Sequence, residues 1–484
     1  MFDMEAIPVA LLQRVCSAAR AEACAAGERL SAIGELFALR RSQSEETADW
    51  AVDAEAAVTA EVAAALSISQ GLAASHLRYA RALREHLPML GRALIAGDVD
   101  EATFRACVFG TGLICDDEVL ASVDRELALA VPRWGSVNRS QLAARIDRVV
   151  ARVDADAVRR RRDRVAGREV TVGDVDNGLA EIHAVVYGAD GRAVAERLTA
   201  LAATVCDDDP RTVAQRRADA LGAMAAGAER LGCQCGSSDC PAGGRAASAV
   251  VIHVVAEQAT VEGTGTAPGA MVGFEGLIPA EMIAEMARSA RLRPLIHPRD
   301  APSESGYVPS RGLADFVRLR DMTCRFPGCA VPATACDLDH CVPHANGGPT
   351  HASNLSCKCR THHLLKTFWG WRDEQLPDGT LIWTAPTGDR YVTTPGSLQV
   401  LPSLCEPSGF VDVAGRPDER HCGDRSVMMP RRRRTRARDR AAAITAERHR
   451  NHEFRTTPAT PPLRADEDIT YDGTFTKEPE PPPF

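Results

Sequence analysis

"CRFPGCAVPATACDLDHCVPHANGGPTHASNLSCKCRTHHLLK" fills positions 324–366 of a chain that is otherwise rich in Ala, Arg and Leu. It opens with Cys324 and Cys329, whose intervening Pro327-Gly328 turn lets two thiolates face one ion. It closes with Cys359-x2-His362, a spacing that suits the first turn of a helix. Together these four make a tetrahedral Cys3His donor set, which is closed and therefore structural for Zn²⁺. The ion would pin segments thirty residues apart (Cys329 to Cys359) and stand in for a core too small to fold alone. Cys357 is the alternative to Cys359 as third thiolate, and Cys359 is preferred for its distance from His362.

Inside this clamp, Asp339 and His340 are neighbours on an expected strand, so they point to opposite faces. One can hold a metal while the other faces substrate. Gly347 and Gly348 permit a tight return loop. Asn354-Leu355 follows, and His363 begins the expected helix, facing the first strand. A neutral imidazole near its ordinary pKa suits proton abstraction at neutral pH.

The order Cys-x4-Cys, Asp-His, Pro, Gly-Gly, Asn-Leu, Cys-x2-His-His, Lys resembles the HNH endonuclease motif, a ββα-metal (His-Me finger) nuclease module. The resemblance implies roles. His340 is the general base that deprotonates water. Asp339 and His363 hold one Mg²⁺ or Mn²⁺ on the scissile phosphate, where it stabilises charge on the leaving oxygen. Asn354 fixes the loop or orients His340, and Arg360 and Lys366 are placed to touch phosphate. One position departs from the pattern: many members carry another His one helical turn after the last, and here that residue is Thr367.

The flanks extend the likeness. "RLRDMTCRFPGC" before the module, "WGWRDEQLPDGTLIWTAPTGDRYVT" (369–393) after it, "DPRTVAQRRADAL" (209–221) and "CQCGSSDCPA" resemble an actinobacterial repeat family. Its members join a long helical domain of unknown function to a C-terminal HNH module. The likeness covers roughly residues 30–400.

Upstream, residues 1–165 read as helices, with an amphipathic stripe over 58–94. "LSISQGLAASHL" within it resembles a helix-turn-helix, but two packed helices with Ser69 as a cap is the favoured reading. Residues 166–300 read as an α+β continuation: a hairpin at 168–186 turned by Asn177-Gly178, helices over 190–205 and 210–231, and a third strand at 249–257. Cys233, Cys235 and Cys240 could begin a second zinc site, with His253 the only guess for a fourth ligand; a surface loop with free thiols is the alternative. Residues 311–400 are read as the nuclease module plus a β-hairpin, with turns at Asp378-Gly379 and Thr387-Gly388. Trp369, Trp371 and Trp383 there could stack on bases, though packing is the commoner use. Residues 415–484 are read as a disordered basic, then Pro-rich, tail; 416–455 hold thirteen Arg against six Asp or Glu.

The chain's 484 residues allow two or three domains, and a net charge of −8 argues against a uniformly basic coat. Sixteen Cys, clustered among His rather than spread as a disulfide framework, suggest a reduced compartment and metal. Neither a signal peptide nor a membrane-length apolar run is found, so the expected location is cytoplasmic. The expectation is thus a mainly α protein with a small β-sheet in its N-terminal region, ending in a zinc-braced ββα-metal module and a hairpin. Its function is expected to be metal-dependent cleavage of double-stranded DNA, for which a homodimer would suit double-strand breaks. The alternative is a catalytically silent, zinc-stabilised nucleic-acid-binding or protein-interaction protein of mobile-element origin.

Overall fold

The computed structural model describes residues 6–43, 47–135, 137–159, 169–175, 179–186, 188–237, 239–240, 242, 253–272, 277–288, 290–409 and 428–457. It opens with α1 (Ala6–Ser42), α2 (Ala54–Leu66), α3 (Gln70–Arg81), α4 (Pro88–Ile95), α5 (Glu101–Thr111), α6 (Asp117–Ala130) and α7 (Arg139–Val153). Capping residues set most of the starts. Asp53, Ser69, Asp100, Asp116 and Asn138 each accept a hydrogen bond from a first-turn amide, and Asn138 with Gln141 completes a capping box. These helices bury one apolar core that includes Leu30, Leu77, Leu94, Phe104 and Leu127.

Helix α2 departs from the expected one-sided stripe. Nine of its thirteen residues are buried. Val58, Val62 and Ala63 join the helical core, while Ala57, Ala60 and Ala64 join a second core built by the C-terminal module. Its small side chains let both cores approach one helix from opposite sides. Its buried Glu61 is paired through both oxygens by Arg40, at 2.9 and 2.8 Å. Helix α3 follows at a bend of 113°. It buries Ala73, Leu77 and Ala80 in the helical core, as expected of two packed helices.

The middle of the chain differs from the expected single small sheet. β1 (Glu169–Val175) and β2 (Leu179–Val185) pair antiparallel, with Val175 opposite Leu179. The Asn177-Gly178 turn lies outside the described residues. After α8 (Gly188–Ala202) and α9 (Val213–Ala225) comes the third strand, β3 (Val254–Val255). It pairs with β4 (Gly269–Met271), and β4 with β5 (Leu277–Ile278), so among the described residues it does not join the hairpin. The physical reason is proximity: β4 follows β3 after the short α10 (Gln258–Val261), whereas the hairpin has already satisfied its own inner edges. Helix α11 (Ala280–Ala287) ends this region.

The module begins with α12 (Arg311–Asp321). β6 (Asp337–His340) and β7 (Leu355–Lys358) pair antiparallel, with Asp337 opposite Lys358 and His340 opposite Leu355. Helix α13 (Arg360–Phe368) follows directly. The expected hairpin is a three-stranded meander, because each of its two turns adds a strand: β8 (Arg372–Gln375), β9 (Leu381–Thr384) and β10 (Arg390–Thr393). Trp371 and Trp383 are buried against Phe326, with ring centroids 4.7 and 5.1 Å away. They are core residues and cannot stack on bases.

A buried ion network holds the module together. The Asp321 carboxylate accepts from Arg320 Nε at 2.9 Å, from an Arg325 guanidinium nitrogen at 3.0 Å and from the Cys357 amide at 2.7 Å. Arg320 reaches the Ala352 and Leu355 carbonyls, and Arg325 those of Gly379 and Thr393. Helix α12 is thereby tied to β7 and to the meander. Burial opposes ionisation of Asp321, yet the two guanidiniums keep its carboxyl below the usual range.

The module sits on the helical part through α2. A Cβ at Gly328 would lie 2.4 Å from the Ile68 carbonyl oxygen, so the backbone touches there. Trp369 Nε1 donates to the Val52 carbonyl at 2.9 Å, and Trp50 meets Phe368 and Trp369 edge-on.

The expected disordered tail is ordered where it is described. Helix α14 (Arg436–Thr456) returns to the helical core. Arg448 pairs with Asp154 at 2.6 Å, Arg436 with Asp53 at 2.7 Å, and Asn451 donates to the Asp156 and Val158 carbonyls. Carboxylates far away in sequence neutralise part of the Arg run. The Pro-rich end lies outside the described residues. No single helix among the described residues is long and apolar enough to cross a membrane.

Replacing Asp321 by Ala leaves two buried guanidiniums without their carboxylate. The expected loss is about 3–5 kcal/mol, read from the urea midpoint by Trp fluorescence. Replacing the half-buried Asp315, which is 3.4 Å from Arg293, should shift stability by about 0.5 kcal/mol or less.

Candidate metal centres and catalytic strand

The four residues expected to bind zinc converge. The ligand atoms of Cys324, Cys329, Cys359 and His362 all lie within 4.8 Å of one another. His362 Nδ1 is 3.4 Å from Cys324 Sγ and 3.2 Å from Cys359 Sγ, with the Phe326 ring stacked on the imidazole at 3.9 Å. The Cys359 amide, at the start of α13, donates to Cys324 Sγ at 3.2 Å. An amide aimed at a sulfur favours a thiolate there. Burial opposes ionisation of Cys324, but hydrogen bonds from Cys329, Cys336, Cys359 and His362 pull its thiol well below the ordinary value. Three sulfurs and one imidazole nitrogen around one point fit Zn²⁺. Cys357 is not among them. Its sulfur faces the Val317 carbonyl, and burial pushes its thiol up.

The clamp also aims the neighbouring residue. His362 points inward to the sulfurs, so His363, one residue round the helix, faces β6. His363 Nδ1 is 2.9 Å from Asp337 Oδ2, and its Nε2 is 3.4 Å from Asp339 Oδ1. With Nδ1–H donated to Asp337, the Nε2 lone pair faces a carboxylate oxygen. Asp337 was not singled out in the sequence; its signal is the alternation of β6, which puts Asp337 and Asp339 on one face.

His340 is buried on the other face. Its Nε2 is 2.9 Å from Thr350 Oγ1, Tyr307 stacks on its ring at 5.3 Å, and His344 lies edge-on at 5.5 Å. Burial lowers its pKa to about 4, so it is neutral at pH 7. Asn354 grips the loop between β6 and β7. Its Oδ1 accepts from the Val342 amide at 2.8 Å, and its Nδ2 donates to the Val342 and Pro349 carbonyls at 3.1 and 2.9 Å. These three bonds tie Val342, at the start of the loop, to Pro349 near its end. The same turn excludes a side chain at Gly348, whose Cβ would sit 1.9 Å from the Val342 carbonyl oxygen.

Lys366 does not stand free for phosphate. Its ammonium lies 2.8 Å from both Asp339 Oδ2 and Asp373 Oδ1, and it donates to the His340 and Cys341 carbonyls. The motif resemblance offered it to phosphate, but two carboxylates already claim its charge. Lys358, fully buried, pairs with the same two carboxylates at 2.9 and 2.8 Å. Burial works against its charge, yet Asp339 and Asp373 hold its pKa well above normal. A Lys between Cys357 and Cys359 was the overlooked signal: a strand with no exposed residue must neutralise it internally. Arg360 is exposed and only 3.4 Å from Asp337, so it alone of the two expected phosphate contacts stays at the surface. Thr367 Oγ1 donates to the His363 carbonyl within α13.

A second cluster is present. The sulfurs of Cys206, Cys233, Cys235 and Cys240 also lie within 4.8 Å of one another. The fourth member is Cys206, upstream of the triplet, and not His253, which is exposed.

A family profile described as "Domain of unknown function (DUF222)" matches residues 17–321. The chain belongs to the DUF222 family. The DUF222 match stops three residues before Cys324, so it covers the helical part and α12 but neither the Cys3His cluster nor β6. Full-length relatives carry it further. Uncharacterized protein Rv3776 of Mycobacterium tuberculosis is 44% identical over 473 residues, covering 92% of this chain and 90% of the relative. Uncharacterized protein Rv2100 of the same species is 41% identical over 496 residues, covering 94% and 90%. No solved structure matches.

Asn354→Ala removes three hydrogen bonds to loop backbone. It should cost about 1–3 kcal/mol and speed amide exchange at Val342, measured by hydrogen–deuterium exchange, while zinc content stays unchanged.

Proposed function

We propose that the C-terminal module is an HNH-type nuclease that hydrolyses phosphodiester bonds in DNA. The observation that carries this reading is the Asp337–His363–Asp339 arrangement. A carboxylate fixes the imidazole tautomer, and the free imidazole nitrogen faces a second carboxylate 3.4 Å away. That gap suits an ion with bonds of about 2.1 Å, the remaining sites being left for water and phosphate. A divalent ion held there would supply charge stabilisation at the leaving oxygen.

The chain's own residues do the rest. With Nε2–H donated to Thr350, neutral His340 carries its lone pair on Nδ1. It takes a proton from a water molecule, whose oxygen bonds to phosphorus as the bond to the leaving sugar oxygen breaks; that oxygen is protonated by solvent. Asn354 and Gly348 hold the loop that covers His340, and exposed Arg360 steers the phosphate backbone. Asp339 Oδ2 is occupied by Lys358 and Lys366, which leaves Oδ1 toward His363. The two ammonium groups of Lys358 and Lys366 would weaken ion binding to the free protein, and a bound phosphate would offset their charge.

A second reading rests on those same lysines. They neutralise Asp339 without any ion, as a catalytically silent zinc-braced binding module would. The two readings part on supercoiled plasmid with Mg²⁺ or Mn²⁺. The nuclease reading expects metal-dependent nicking that falls at least about 10²-fold in His340→Ala with zinc retained. Intact plasmid under every condition, from folded and zinc-loaded protein, favours the silent module.

A further inference from the structure

The DUF222 part contains a segment without a core. Among the described residues, none of 188–242 belongs to either large apolar cluster. Its buried apolar side chains among the described residues are few and mostly small: Leu201, Ala202, Ala220, Ala228, Leu231 and Ala242. Helices α8 and α9 are joined by a connector that carries Cys206, and the chain after α9 folds back onto that connector with Cys233, Cys235 and Cys240. Something other than apolar burial must hold this return.

The polar scaffolding around the sulfurs is built for a fixed geometry. Asp209, buried, accepts from Arg211 through both oxygens at 3.0 and 2.7 Å and from the Gln234 amide at 3.0 Å. Arg211 also donates to the Gly232 carbonyl at 2.7 Å, and the Leu231 amide donates to Thr204 Oγ1 at 2.9 Å. These bonds set the backbone on both sides of Cys233 against the turn that bears Cys206. The Cys206 and Cys233 sulfurs come within 3.4 Å, in contact but unbonded.

We propose that Cys206, Cys233, Cys235 and Cys240 bind a second Zn²⁺, which serves as the core of residues 188–242. Four thiolates in one cluster select zinc over hard cations, and a set with no open position is structural. Arg211 is a positioning residue for it. The site is independent of the nuclease reading, since it shares no residue with β6, β7 or α13.

The test is metal content of the purified full chain by mass spectrometry. The expected result is two zinc ions per chain, falling to one in Cys206→Ser and to one in Cys359→Ser. Cobalt reconstitution of the unmutated chain guards against a variant that fails to fold. Charge-transfer absorption should report seven thiolates, four from this cluster and three from the other. One zinc per chain, an unchanged count in Cys206→Ser, iron in place of zinc, or absorption from three thiolates only would overturn the proposal.

Discussion

Convergence of Cys324, Cys329, Cys359 and His362 is the constraint on which the C-terminal module depends. Strands β6 and β7 have four residues each and α13 has nine. Elements this short are unstable in water alone. The cluster fixes where α13 begins and how it is rotated. That rotation sends His362 to the sulfurs and His363 to β6, so one local geometry decides whether His363 meets Asp337 and Asp339 at all. The Asp321 network and the Trp371–Phe326–Trp383 packing then seat α12 and the meander around it.

Charge burial is the second theme. Lys358, Lys366, Asp339 and Asp373 form a compact set in which two ammonium groups face two carboxylates. Such sets cost desolvation free energy, and an apolar replacement is often no less stable. Their value lies in orientation: Asp339 is left with one oxygen directed at His363. Helix α2 lies between the two cores, its many Ala side chains buried on both sides.

How far the sequence was legible followed the range of each interaction. The Cys3His donors were readable because ligand type and spacing are local, whereas Asn354 was singled out only through the motif resemblance. Cys206 was missed because it lies 27 residues before its nearest partner in sequence, beyond any motif window. The order of α14 was missed because an Arg run has the composition of a tail, while its partners Asp53 and Asp154 lie 383 and 294 residues away. Lys366 was expected at phosphate, but its partners Asp339 and Asp373 depend on tertiary packing. The two-sided burial of α2 was likewise invisible to a stripe that assumes one core.

The DUF222 family assignment names the helical part without giving it a role, so the proposed ion seat on β6 and α13 is where function is most open to direct test. The decisive measurement is Mn²⁺ titration of the zinc-loaded full chain, followed by electron paramagnetic resonance with and without a short DNA duplex. The account predicts one bound Mn²⁺ per chain that tightens when DNA is present and is lost in His363→Ala. Absence of Mn²⁺ binding in the presence of DNA, or binding unaffected by His363→Ala, would contradict it.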